Sequence, residues 1–368
     1  MIRRLAVGVL VLLLGACAQI PTAEFEQYKA AFNAVEQTST DILVNYDQTL
    51  GRARQLVATR MKAPEGTQVE NPYPIEFDEF LRKLGSDEGH DIDVRRKALQ
   101  VVDRYNAVLT QLAEGKSVDE VQTAAGELVT GLGKFVEAAA GSAVPGLPAV
   151  VSLAQTFAAQ LEKARLQREF KKAVEDGAPV IDQILDLFMA DTADHYKLNA
   201  GMAQEQRIFV LESAVKQVKS LKLLLAGVGP PAATFTSIDD RQNAVNIALV
   251  AARGELAPFG YPYAFASASP GAAAAYTPAV DGEVQLIQKE IERLATLYQK
   301  NIDQVQSLGE ALAKYRSMLQ TTKDALATLR QAVEKPVNLL DVADQLLDLS
   351  FGVERDLAAF RASIAASS

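Results

Sequence analysis

The chain has 368 residues, 49% of them hydrophobic and 7% aromatic, and its formal net charge at pH 7 is −9. This acidity disfavours nucleic acid, whose affinity for proteins rests on neutralised phosphates, and it gives no electrostatic attraction to anionic lipid. A single cysteine excludes an intrachain disulfide, so buried apolar surface must supply the stability. Abundant alanine and leucine, with no tryptophan, favour closely packed helices.

The N-terminus has the organisation of a secretory signal. Arg3 and Arg4 precede an uninterrupted apolar run, Leu5 to Leu14, which is too short to span a bilayer. The run ends in Leu14-Gly15-Ala16-Cys17, which resembles the lipobox of bacterial lipoproteins, where the signal is cut just before the cysteine. The resemblance implies a diacylglycerol on the Cys17 sulfur and a fatty acid such as palmitate on its new amino group. The alternative is an ordinary signal cleaved elsewhere, with Cys17 incidental.

The residue after the cysteine bears on the membrane that holds the anchor. In the lipoprotein class, Asp at this position tends to retain the protein in the inner membrane, and here the residue is Ala18. The resemblance therefore implies an outer-membrane protein that faces the periplasm. Removal of the signal peptide takes Arg3 and Arg4 with it and changes the net charge from −9 to −11.

Long helices are predicted for three segments, at about 22–62, 180–226 and 283–334. In the first, apolar or small residues recur at spacings of three and four, which places them on one helix face: Phe25, Tyr28, Phe32, Val35, Ser39, Ile42, Tyr46, Ala53 and Leu56. The third has a heptad seam, formed by Val284, Ile291, Tyr298, Val305, Leu312, Leu319, Leu326 and Val333 with Ile287, Leu294, Asn301, Leu308, Tyr315, Thr322 and Leu329. Such a seam is typical of a bundle core, although it also suits dimerisation.

Local signals predict where the other helices begin and end. Ser117-Val118-Asp119-Glu120 has the form of a capping box, and Pro179 is suited to the first position of a helix. Further helices are predicted at about 92–114, 117–141, 148–176, 237–253 and 338–364. We therefore predict an all-α protein with a signal peptide at 1–16, a lipidated N-terminus and tether at 17–24, and a single elongated antiparallel helical bundle with long coiled-coil-like helices over 25–368.

The motifs of nucleotide and hydrolase chemistry are incomplete or missing. Gly133-Lys134 resembles the end of a phosphate-binding loop, but Leu128 stands where its first glycine is needed and Phe135 replaces the final Ser or Thr. No nucleophile elbow or zinc-protease motif is present. The sequence therefore predicts a protein that is not an enzyme and that needs no cofactor.

Acidic residues near the two histidines were considered as metal ligands. Asp87, His90, Asp91 and Asp93 lie close together, but the spacing of a calcium loop is absent, and acidic side chains at a helix start suit the helix dipole. Asp191 and His195 share a helix face without an evident third ligand, which favours an ordinary polar pair. We predict no metal site.

Two segments carry no charge at all, 138–161 and 256–280. The first contains Val144 and Leu147 at a predicted helix corner. The second is a long predicted loop whose aromatic residues are Phe259, Tyr261, Tyr263, Phe265 and Tyr276. A buried corner and a plain loop are the simplest interpretations, but long loops are often functional, and Tyr and Phe suit membrane interfaces. We therefore treat these seven residues as candidate contacts with a partner or a membrane.

Two functions from different classes agree with these patterns. The first is a non-enzymatic, lipid-anchored periplasmic protein that acts as a structural or adaptor element for envelope protein partners, or that self-associates. The alternative is a membrane-acting protein that inserts the apolar hairpin 138–161. In its architecture alone, such a protein resembles the α-helical pore-forming toxins of the cytolysin A type. Nucleic acid is not an expected partner of either.

Overall fold

The computed structural model describes residues 22–61, 88–140, 142, 146–227, 278–335 and 337–365. Within these ranges the chain forms seven helices and no strand. The helices are α1 (Thr22–Met61), α2 (Glu88–Ala113), α3 (Val118–Ala139), α4 (Leu147–Lys163), α5 (Gln167–Gly227), α6 (Pro278–Ala332) and α7 (Leu340–Ala365). They pack against one another as a bundle, so the predicted all-α helical bundle is confirmed. The helix predicted at 237–253 lies outside the described residues.

The chain divides into two compact units. Of the described residues, the first unit holds 22–61, 88–199 and 307–361, and the second holds 200–227, 278–306 and 362–365. The long helices α5 and α6 therefore contribute to both units. The single domain predicted over 25–368 stays a prediction.

The first two helices of the first unit run in opposite directions. The Tyr28 hydroxyl in α1 donates to Asn106 Oδ1 in α2 over 2.8 Å, whereas Asp47, further along α1, pairs with Arg96, nearer the start of α2, at 3.3 Å. These two contacts show that α1 and α2 are antiparallel.

The first and last helices run in the same direction. Glu24, near the start of α1, accepts a hydrogen bond from the backbone N–H of Leu339 over 3.3 Å, and Asp41 pairs with Arg361 at 3.3 Å. Helices α1 and α7 are therefore parallel.

The predicted apolar faces form the core. All the residues of the α1 stripe up to Ala53 are buried. In α6 the buried seam positions are Leu294, Tyr298, Asn301, Leu308, Leu312, Tyr315, Leu319, Thr322, Leu326 and Leu329. Val305 and Val333 are half-buried. The described part of the seam therefore packs within the chain as core, whereas the side chains of Val284, Ile287 and Ile291 lie outside the described residues.

The predicted break between the helices at 148–176 and 180–226 is wrong, because the first of them ends at Lys163. Pro179 does not begin a helix but lies inside α5, which starts at Gln167. The chain breaks earlier because the Glu169 carboxylate accepts hydrogen bonds from the backbone N–H groups of Arg165 over 2.7 Å and Leu166 over 3.1 Å. These bonds satisfy N–H groups at the start of α5, where no partner exists within the helix itself.

No helix in the described ranges combines the length and the apolar character that crossing a bilayer requires.

Candidate functional site

Most of the predicted contact residues lie outside the described part of the chain. These are the lipidation site Cys17, the aromatic residues Phe259, Tyr261, Tyr263, Phe265 and Tyr276, and Val144. Leu147 is described, and its side chain is 2% exposed at the start of α4. Its contact with a partner or a membrane stays a prediction, and it requires α4 to leave the core.

The uncharged segment 138–161 divides its residues between the core and the surface. Helix α4 buries Leu147, Val150, Ala154, Phe157 and Leu161. Up to residue 161 its opposite face exposes only uncharged side chains, among them Ala149, Ser152, Leu153, Thr156 and Ala159. The apolar residues therefore stabilise the bundle, whereas the uncharged outer face is accessible without any rearrangement.

A cavity of about 20 Å³ lies between α2, α3, α4 and α5. Its walls are Val94, Arg95, Ala98, Phe135, Leu147, Ile184, Leu187, Phe188 and Asp191. This volume is close to the space that one water molecule needs, so the cavity has no room for an organic ligand or cofactor.

A polar layer of four buried residues joins α1 to α5: Asn45, Thr49, His195 and Asn199. His195 Nε2 lies 3.0 Å from Asn45 Oδ1, and because an amide oxygen only accepts, Nε2 carries the proton in this arrangement. Asn199 Nδ2 donates to the His195 carbonyl over 3.0 Å, and the Thr49 hydroxyl donates to the Asn45 carbonyl over 2.9 Å. The His195–Asn45 contact joins the two helices at one register, and the Thr49 hydroxyl also lies 3.4 Å from Asn199 Oδ1 across the same interface.

The environment of His195 suits structure better than catalysis. Its ring lies 4.8 Å from the Tyr46 ring, between centroids, and is 2% exposed. Burial lowers its pKa to about 3. A general base works best with a pKa near the operating pH, so the neutral, buried imidazole is a poor catalyst at neutral pH.

Asp191 forms a bidentate ion pair with Arg95 beside the polar layer. Arg95 Nε donates to Asp191 Oδ2 over 2.6 Å, and Nη2 donates to Oδ1 over 2.7 Å. The Arg95 guanidinium also lies 5.9 Å from the centre of the Tyr46 ring, within the range of cation–π attraction. Asp191 and His195 therefore have different partners. In the described part of the chain, no group of three or more His, Cys, Asp or Glu residues is placed to hold a metal ion.

The polar layer was not recognised from the sequence, although a signal for it exists. Asn45 and Thr49 are four residues apart in α1, and His195 and Asn199 are four residues apart in α5. Equal spacing puts each pair on one helix face, so the two pairs can meet. What the layer does chemically is fix the register of α1 against α5, a role that buried polar residues have in helical assemblies.

Comparisons with protein families, with curated proteins and with solved structures found no match to this chain. Its function must therefore be argued from its own residues.

Proposed function

We propose that the protein is a non-enzymatic bacterial lipoprotein, anchored to the outer membrane through Cys17, that acts as a structural or adaptor element for envelope protein partners. The observation that carries the proposal is Leu14-Gly15-Ala16-Cys17 directly after the apolar run Leu5 to Leu14, with Cys17 the single cysteine of the chain. Several acyl chains make a stable anchor, because each buried methylene contributes about 0.8 kcal/mol.

The chemistry of the described residues supports a role other than catalysis. The buried His195 is paired with Asn45, and Arg95 with Asp191, so these groups stabilise helix packing. The helices α5 and α6, of 61 and 55 residues, offer long surfaces to partners. Such surfaces suit an adaptor.

The anchor is tested on full-length protein expressed in a Gram-negative host. Mass spectrometry of the N-terminal peptide should find Cys17 as the first residue, carrying a diacylglycerol and an amide-linked fatty acid. Cys17→Ser should abolish the modification and release the protein from membranes, whereas Ala18→Asp should keep the lipid and shift the protein to the inner membrane. Cleavage at another position, with an unmodified thiol, would contradict the proposal.

The adaptor role is tested by crosslinking the lipidated protein in cells and identifying what it captures. Capture of one dominant envelope protein would support the adaptor role. That capture should be lost on deletion of 256–280 and retained when the exposed Ser317 is changed to Ala. Crosslinks only between copies of this chain and to lipid would overturn the adaptor role and leave the anchor intact.

The alternative, insertion of the hairpin 138–161 into a membrane, is supported by the absence of charge in that segment. It needs Leu147 and Phe157 to exchange the bundle core for lipid. Dye release from liposomes separates the two functions. Leakage that Val144→Asp abolishes, and that Ser117→Asp leaves unchanged, would favour insertion. An absence of leakage would reject it.

A further inference from the structure

Asn301 in α6 stands apart among the buried polar residues. In the described part of the chain it alone has both side-chain polar atoms, Oδ1 and Nδ2, buried without a hydrogen-bond partner. The residue is 0% exposed. Burial of an amide without partners is unfavourable, because the group loses its hydrogen bonds to water and gains none in return.

Two other buried polar side chains on the long helices find partners one turn away. The Asn199 amide donates to the carbonyl of His195 over 3.0 Å, and the Thr322 hydroxyl donates to the carbonyl of Met318 over 2.8 Å. The helical backbone therefore offers acceptors to buried side chains of this kind. Asn301 makes no such bond, so no neighbouring backbone group offsets the free-energy cost of burying its amide.

Asn301 also interrupts an apolar stretch of the seam. Leu294 lies seven residues before it and Leu308 seven residues after it, and both are buried. A leucine at position 301 would continue the seam, whereas an asparagine lowers its stability.

An apolar contact between α5 and α6 lies beside Asn301. In the second unit, Val210 of α5 packs with Leu294 and Tyr298 of α6, and the partly buried Leu297 and Ile302 pack against this cluster. The cluster and the unsatisfied amide therefore occur in the same stretch of α6.

We propose that the α5–α6 contact of the second unit opens reversibly at Asn301. In the closed state the amide has no partner and the Val210–Leu294–Tyr298 cluster is buried. In the open state water satisfies the amide and the cluster is exposed. The asparagine shifts this equilibrium toward opening, and the device acts independently of the lipid anchor and of any captured partner.

The test measures opening through thiol reactivity. In the chain with Cys17→Ser, a reporter cysteine is placed at Leu294, beside Asn301, or at Leu329, which is 0% exposed in another part of α6. Labelling of each thiol by a maleimide is followed in the folded protein. Asn301→Leu should slow labelling at 294 at least tenfold and change labelling at 329 less than twofold. Unchanged or faster labelling at 294 would overturn the proposal.

A second variant keeps the test decisive if leucine does not fit at position 301. Asn301→Asp has nearly the same shape but places an ionised group in the seam, which is more costly to bury than an amide. It should accelerate labelling at 294 at least tenfold and leave labelling at 329 unchanged. Equal acceleration at both positions would reject a local opening, because it would report unfolding of the whole chain.

Discussion

Gly177 in α5 lies directly against the ring of Phe157 in α4, so closely that a Cβ atom at position 177 would overlap the ring. The same ring meets Tyr105 of α2 edge to face, with 6.1 Å between centroids. The Tyr105 hydroxyl in turn donates to the carbonyl of Val174 over 3.0 Å. The missing side chain of Gly177 therefore lets three helices meet at one point.

Gly177→Ala should lower the free energy of unfolding by about 1–3 kcal/mol, because the added methyl group displaces a close-packed ring. Urea unfolding followed by circular dichroism measures the change. The control is Gly126→Ala in α3, where an added Cβ meets nothing within 4 Å. That variant should raise the free energy of unfolding by about 0.5–1 kcal/mol, since alanine is the better helix former. Equal stability of Gly177→Ala and the unmodified protein would show that Phe157 can move aside.

Two neighbouring arginines of α2 allow a matched comparison of ion pairs. Arg95 and Asp191 pair with side chains only 14% and 20% exposed, whereas Arg96 and Asp47 pair with side chains 46% and 47% exposed. Asp191→Ala should lower the free energy of unfolding by about 2–3 kcal/mol, because it removes a bidentate carboxylate from a largely buried guanidinium. Asp47→Ala should lower the free energy of unfolding by less than about 0.5 kcal/mol. Similar losses in thermal melts of the two variants would contradict this distinction.

His195 should make the folded state less stable as the pH falls. Burial lowers its folded pKa to about 3, against an ordinary value of 6.5. Between these values the unfolded chain binds a proton that the folded chain does not. The contribution of His195 to the free energy of unfolding is therefore fully present above about pH 6.5. As the pH falls it decreases by about 1.4 kcal/mol per pH unit, and it levels off below about pH 3.

The effect of His195 must be separated from two acidic groups with the opposite sign. Burial raises the pKa values of Glu36 and Asp103, so the folded state holds their protons more tightly and gains stability as the pH falls. The measurement is therefore the difference in unfolding free energy between the unmodified protein and His195→Gln from pH 7 to pH 4. This difference should shift against the unmodified protein as the pH falls below about 6.5, because only the unmodified protein carries His195. Parallel curves would refute its assignment as a buried neutral histidine.

Leu312 tests the seam of α6. It is 4% exposed, and its neighbour Ala313 is exposed on the same helix. Leu312→Asp should lower stability by about 4 kcal/mol or more, because it buries a charge without a partner. Ala313→Asp should change stability by less than about 0.5 kcal/mol. The melting temperatures of the two variants are compared with that of the unmodified protein. An unchanged melting temperature for Leu312→Asp would mean that the leucine is solvent-exposed.

Helices and their boundaries were predictable where the signal is local. The capping box was confirmed: the Glu120 N–H donates to the Ser117 hydroxyl over 3.3 Å, and the Glu120 carboxylate accepts from the Ser117 N–H over 3.0 Å. The start of α5 was not predictable in the same way, because Glu169 captures backbone N–H groups without a Ser, Thr, Asp or Asn ahead of it. Pro179 then gave a strong but misleading signal inside the helix.

Periodicity predicts which face of a helix is buried but not which helix covers it. Asn45 and His195 are 150 residues apart in the chain, and Arg95 and Asp191 are 96 apart. Nothing local links such residues, so the polar layer and the ion pair appeared only once the helices were packed. The anchor, in contrast, depends on a contiguous motif at Cys17 and remains a prediction from sequence.

The order of the helices places the start of α1 and the start of α4 at opposite ends of the first unit. The start of α1 lies beside Leu339, and Lys29 pairs with Glu114, just before α3, at 2.6 Å. From there the 22 residues of α3 lead about 33 Å away, toward the cavity that Leu147 shares with Val94. Only residues 18–21 separate Cys17 from α1, so the proposed acylation of Cys17 would hold the α1 end close to its own bilayer. A hairpin inserted from 138–161 would enter a facing bilayer, and the protein would then act as a bridge between two membranes.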